Sequence, residues 1–153
     1  MKKKSILVVS HDAGGANILS SYIKKKKDKY IFFLKGPAIK IFKEKLNFKN
    51  NKKFDNFKLI KKIYTSSSWE SKHEVLQIDK ANKLNIPTTL FLDHWVNYKN
   101  RLNLGKKKIT PSEIIASDKY AYSLAKKIFT KKKIKKAKNY YLAEGLSKLR
   151  KLK

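Results

Sequence analysis

Ser5-Ile-Leu-Val-Val-Ser-His-Asp-Ala-Gly-Gly-Ala-Asn17 is the stretch whose reading decides the fold. Ile6 to Val9 is a continuous apolar run, the pattern of a strand buried on both faces rather than a half-exposed one. The run stops at His11-Asp12. Gly14-Gly15 then turns the chain tightly into a segment whose apolar residues Ile18, Leu19, Tyr22 and Ile23 fall at helical spacing. Strand, glycine turn and helix form the opening unit of an open α/β sheet, in which ligands bind outside the carboxyl ends of the strands. A second segment repeats the arrangement. Ile86 to Leu92 runs into Asp93-His-Trp-Val-Asn-Tyr98, so a carboxylate and an imidazole again stand side by side past a strand end.

Working outward, strands and helices alternate. Tyr30 to Leu34 reads as the second strand, and Gly36-Pro37 opens a helix carrying Ile39, Ile41, Phe42 and Leu46, with proline where its missing N–H is harmless. Asn47 to Asp55 is a polar connection. Phe57 to Tyr64 reads as the third strand and closes on Thr65-Ser-Ser-Ser-Trp69, whose hydroxyls suit capping of a helix over 71–84. Pro87 to Leu92 is the fourth strand. An irregular stretch with Tyr98, Arg101 and Gly105 precedes a fifth strand, Glu113 to Ala116, and Asp118 then caps a helix over 119–128. The expectation is an α/β fold: a Rossmann-like open parallel sheet of about five strands, order 3-2-1-4-5, with helices on both faces. Residues 1–130 make up this domain, and 131–153 read as a basic, partly helical carboxyl-terminal extension. In that order the first and fourth strands touch, and the two His/Asp pairs face one crevice.

Composition narrows the function. Among 153 residues, 39 are basic and 11 acidic, a formal charge of +28, yet only Arg101 and Arg150 are arginine. Abundant lysine, asparagine and isoleucine are what AT-rich codons supply, whereas phosphate recognition favours the planar arginine fork. With no nucleic-acid module legible, nucleic acid is a disfavoured partner. A solvated lysine surface comes first, then an anionic membrane surface, which attracts at about 1 kcal/mol per well-placed lysine. The absence of cysteine rules out a disulfide framework and a thiolate metal site, and no histidine spacing suggests a metal. No run approaches the ~20 apolar residues of a membrane span, and the apolar run after the basic tip is too short for a signal peptide. These features point to a cytoplasmic protein, at most peripheral at the inner face of the membrane.

Candidate site residues cluster at the two strand ends. An imidazole oriented by a carboxylate is the usual arrangement of a general base, which marks His11 with Asp12; the plainer alternative has Asp12 capping the helix and His11 merely exposed. Gly14, Gly15 and Asn17 at a helix start suit a phosphate, carboxylate or sugar hydroxyl. The glycine spacing is neither G-x-G-x-x-G nor a Walker loop, so no dinucleotide fingerprint is present. Asp93 and His94 repeat the His/Asp chemistry, Trp95 and Tyr98 suit stacking on a sugar or base, and Arg101 suits pairing with phosphate. Ser68 is a candidate for substrate contact or for capping. His73, flanked by Lys72 and Glu74, reads as solvated surface.

His11-Asp-Ala-Gly-Gly-Ala16, Gly36-Pro-Ala38, Ser68-Trp-Glu70, Leu92-Asp-His-Trp-Val-Asn-Tyr98 with Arg101, and Pro111 to Asp118 together resemble the amino-terminal half of two-domain glycosyltransferases of the GT-B architecture. More narrowly, the chain resembles bacterial polysaccharide biosynthesis proteins. The resemblance implies a Rossmann-like domain that holds the acceptor and faces a second domain that grips a nucleotide sugar, with no permanently bound cofactor. Some inverting members use a histidine near the end of the first strand, supported by an aspartate, as base. His11 matches that position, with Asp93 the expected spatial support and Asp12 the alternative. The implied role is in cell-surface polysaccharide or lipopolysaccharide biosynthesis, on a sugar or lipid-linked acceptor. A second glycosyltransferase subunit is expected to supply the missing half of the cleft. The alternatives are a non-catalytic basic subunit partnering a nucleotide-sugar-binding chain, or a nucleotide-sugar epimerase-like enzyme.

Overall fold

The computed structural model describes residues 4–93 and 98–153. The fold is α/β, a Rossmann-like open parallel sheet with helices on both faces. The strands β1 (Ser5–Ser10), β2 (Tyr30–Leu34) and β3 (Ile60–Thr65) are separated by α1 (Ala13–Lys24) and α2 (Pro37–Lys45). Then come α3 (His73–Lys83), β4 (Thr88–Leu92), the short α4 (Tyr98–Arg101) and a hairpin of β5 (Asn103–Leu104) with β6 (Lys107–Lys108). The chain ends with β7 (Glu113–Ala116), α5 (Lys119–Ile128), β8 (Lys133–Lys136) and α6 (Tyr140–Lys151). Strand side chains alternate between two cores. Val8, Phe32, Leu34, Phe91 and Ile115 pack with α1 and α2, while Leu7, Val9, Phe33, Leu90, Leu92 and Ile114 face the side of α3 and α5.

The main sheet has six strands in the order β2-β1-β3-β4-β7-β8, which corrects the expected 3-2-1-4-5. The reason lies in the polar connection after α2. Asn50 bridges Phe32, its side chain bonds both the N–H and the C=O of Leu34 (2.9 and 3.0 Å), and Asn51 bonds the Phe32 carbonyl (2.9 Å). These amides occupy the outer edge of β2, where a third strand would otherwise pair, and blunt it against edge-to-edge association. Phe54 and Phe57 then pack on the opposite face, and β3 enters on the far side of β1. β3 therefore separates β1 from β4. The point where strand order reverses, and where open α/β sheets place their ligands, lies between β1 and β3.

Two boundaries also shift. Gly14 and Gly15 lie within the first turn of α1 rather than in a loop before it. Residues 131–153, expected as an extension, supply the edge strand β8, paired with β7, and helix α6, which lies on α1. A lysine-rich edge strand resists unwanted pairing, and here only Ile134 is directed into the core.

Gly15 brings α1 against Ser66, the residue that follows β3. A Cβ there would lie 2.3 Å from the Ser66 Cβ and 2.8 Å from its Oγ. Gly15→Ala is expected to cost roughly 1–3 kcal/mol by overpacking. Gly145→Ala, with nothing within 4 Å of the added carbon, is expected to stabilise by roughly 0.5–1 kcal/mol. Urea midpoints of the two variants should move in opposite directions.

Candidate functional site

At the carboxyl end of β1 the chain carries its apolar run to Ser10 and then presents His11 and Asp12 at the switch point. His11 Nδ1 and Asp12 Oδ1 are 2.7 Å apart, and Asp12 Oδ2 accepts from the Trp69 N–H (2.8 Å). Asp12 occupies the N-cap position of α1 but makes no side-chain cap bond, so its carboxylate is committed to the imidazole and to the loop after β3. Burial alone would raise the Asp12 pKa. The bonds from His11 and Trp69 outweigh burial and hold the carboxyl below its usual range. An ionised carboxylate only accepts, so the bond needs a proton on Nδ1, which leaves Nε2 as the ring nitrogen that can offer a lone pair. Nε2 makes no hydrogen bond among the described residues. It lies beside Gly36, the N-cap residue of α2, where a Cβ would stand 2.7 Å from it. Gly36 has φ +53°, a conformation that glycine adopts without strain.

Beneath this pair sits a carboxylate that the sequence reading did not single out. Glu74, in the first turn of α3, is 2% exposed. Its Oε1 accepts from the His11 N–H (2.8 Å), from Ser68 Oγ (2.5 Å) and from Ser66 Oγ (3.3 Å). Ser66 Oγ also contacts Ser10 Oγ at 2.7 Å, closing a buried network between the ends of β1 and β3. Oε2 of Glu74 has no hydrogen-bond partner among the described residues, and burial pushes the Glu74 pKa up. The signal was available in the sequence: Glu74, Ile78 and Ala81 fall at i, i+4, i+7 on the buried face of α3.

The structure sorts the other expected site residues. His11 and Asp12 come together, and Asp12, not Asp93, holds the imidazole; Nδ1 has one proton, which Asp12 accepts. Asp93 sits at the end of β4 and pairs with Arg101 (3.3 Å), whose Nη1 also reaches Ser67 Oγ (3.4 Å). Arg101 is therefore drawn into tying the ends of β3 and β4 together, with its side chain 9% exposed, rather than projecting as a phosphate ligand. Ser68 donates into Glu74 from the interior and neither caps α3 nor faces solvent, and Ser71 Oγ accepts the His73 N–H at the start of that helix. Gly15 serves close packing against Ser66, Gly14 is half-buried, and the Asn17 carbonyl accepts from Lys45 Nζ (3.2 Å). His94, Trp95 and the side chain of Tyr98 lie outside the described residues. The aromatic residue placed beside the dyad is Trp69, 58% exposed. No three-residue metal cluster occurs among the described residues, and none of their helices is long and apolar enough to cross a membrane. A separate cavity of about 330 Å³ between the β5–β6 hairpin and the end of α5 is lined by Leu102, Ile109, Phe129 and several lysines, but by no imidazole or carboxylate.

The structure corrects the surface assignment of His73. It is 5% exposed, its Nε2 bonds the Phe33 carbonyl (2.9 Å) and its ring meets Phe33 edge-on. Burial is the main cause that lowers its pKa, to about 4. The unfolded chain binds this proton near the ordinary value of ~6.5, so stability is complete above that pH and is lost as pH falls toward 4. We expect the wild type to lose up to about 3 kcal/mol between neutrality and pH 4 through this group. His73→Gln should remove that slope, measured as urea midpoints against pH; identical slopes would refute it.

The chain matches no family model, no curated protein and no solved structure in these comparisons.

Proposed function

We propose that this chain is the acceptor-side domain of a glycosyltransferase-like protein, acting in cytoplasmic steps of polysaccharide or lipopolysaccharide biosynthesis. The observation that carries the reading is the His11–Asp12 pair at the β1/β3 switch point, with Nδ1 held by an ionised carboxylate and Nε2 left to act as base. In the proposed step Nε2 removes the proton of an acceptor hydroxyl as its oxygen attacks the anomeric carbon of a nucleotide sugar. The bond from that carbon to the diphosphate breaks, and the nucleotide leaves with the electron pair. Asp12 stabilises the imidazolium that forms. The exposed ring of Trp69 offers a stacking surface for the acceptor sugar. The dyad side chains are 22% and 24% exposed at the carboxyl end of β1, which in this reading is one wall of the reaction cleft. A partner chain or further domain supplies the nucleotide-sugar wall.

The test is transfer of radiolabelled sugar from a panel of nucleotide sugars into lipid-linked acceptors, using the protein purified with whatever chain accompanies it from its host. His11→Ala should lower transfer by a factor on the order of at least 10² without moving the unfolding midpoint. Undiminished transfer by that variant would overturn the assignment.

A further inference from the structure

α6 lies on the domain with its sides reversed. An amphipathic helix ordinarily buries its apolar stripe and gives its polar face to water. Here the side facing α1 carries Tyr140, Ala143 and Glu144, the only residues of α6 that are even partly buried. Glu144 accepts from Ser21 Oγ (3.1 Å) and the Tyr140 ring meets that of Tyr22 at 6.3 Å. Leu142, Leu146 and Leu149, at i, i+4, i+7, form one row on the opposite side and are 58, 48 and 61% exposed.

The segment that carries this row is mostly basic. Between residues 138 and 153 the chain has Lys138, Lys148, Arg150, Lys151 and Lys153, and its single acid, Glu144, is turned toward Ser21. Lys24 and Lys25, from the end of α1, line with Lys148 and Lys151 the groove on the α1-facing side of α6, which also holds Glu44 and Glu144, so that basic side chains stand on the face of the helix away from the leucines. A second copy of the chain would bring another strongly cationic protein against this one, each at a formal charge of +28. A bilayer surface with anionic headgroups satisfies both features at once, since the leucines enter the headgroup–acyl boundary while the chain's net positive charge draws it to the lipid charge.

We propose that α6 is an interfacial helix that lays Leu142, Leu146 and Leu149 into an anionic membrane surface. The proposal stands on the geometry of α6 and does not depend on the chemistry assigned to His11.

Co-sedimentation of the full chain with vesicles tests it. Vesicles of phosphatidylcholine with roughly 30 mol% phosphatidylglycerol should bind the protein at least about tenfold better than phosphatidylcholine alone, and about 0.5 M salt should weaken the binding. The double variant Leu146→Gln/Leu149→Gln, which leaves the charge unchanged, should bind anionic vesicles at least about tenfold more weakly. Leu142→Gln alone should give a smaller loss, so the test does not rest on one variant. Equal binding by wild type and both variants would overturn the proposal, because lysines alone would then suffice. So would the absence of binding to anionic vesicles. A dimer seen by ultracentrifugation and abolished by the leucine substitutions would also overturn it, since a second copy would then cover the row.

Discussion

Glu74→Ala should destabilise the protein by roughly 3–5 kcal/mol, whereas Glu74→Gln should cost only about 1 kcal/mol. The difference follows from what Oε1 does. One buried oxygen accepts from the His11 N–H, from Ser68 and from Ser66, and it thereby joins the ends of β1 and β3 to the first turn of α3. Alanine leaves a main-chain donor without an acceptor in the interior, cuts two hydroxyls loose and opens a cavity, each a recognised source of large losses. Glutamine keeps the acceptor oxygen and its position. It also removes a carboxylate that burial already disfavours and whose second oxygen has no partner among the described residues, which offsets part of the weaker bonding. Urea unfolding of the two variants decides the matter. Equal losses would mean that Glu74 acts by filling space and not as a hydrogen-bond hub.

What was legible in the sequence was local. Glu113–Ala116 stands where its apolar run predicts, and Asp118 caps α5 with its Oδ1 on the Ala121 N–H (2.8 Å), because strand hydrophobicity and capping need only neighbouring residues. Strand order was not legible. It turns on Asn50 and Asn51 folding back on β2, a contact whose partner lies sixteen to nineteen residues away and which a polar connection does not announce. β8 was hidden because a strand with only Ile134 directed inward looks like a charged run. The site was half legible. Proximity in sequence exposed His11 and Asp12 as a pair, but reading β4 as the neighbour of β1 drew Asp93 into a site from which β3 separates it. Glu74 was missed because its charge outweighed its place on the apolar face of α3.

His11→Ala should lower sugar transfer by a factor on the order of 10²–10⁴, the usual contribution of a positioned general base, and Asp12→Asn should fall in the same range. The two losses have different origins, which makes the pair informative. The first substitution removes the acceptor of the proton. The second leaves the imidazole in place but takes away the charge that stabilises the imidazolium. A side-chain amide in place of the Asp12 carboxylate also cannot accept from both His11 Nδ1 and the Trp69 N–H, because only one of its two terminal atoms is an acceptor. The ring is then free to turn or to place its proton on Nε2, where it can no longer act as base. Asp12→Asn should therefore impair kcat far more than KM, since the Trp69 ring, proposed as the stacking surface for the acceptor, remains. The Asp12 carboxyl is held below its ordinary range, so it stays ionised as pH falls to about 4, and its own protonation sets no limit on the rate above that. A double variant should be little worse than the worse single one, because base and support act as a unit. Multiplied losses in the double variant would show that Asp12 has a separate task in holding the loop at Trp69.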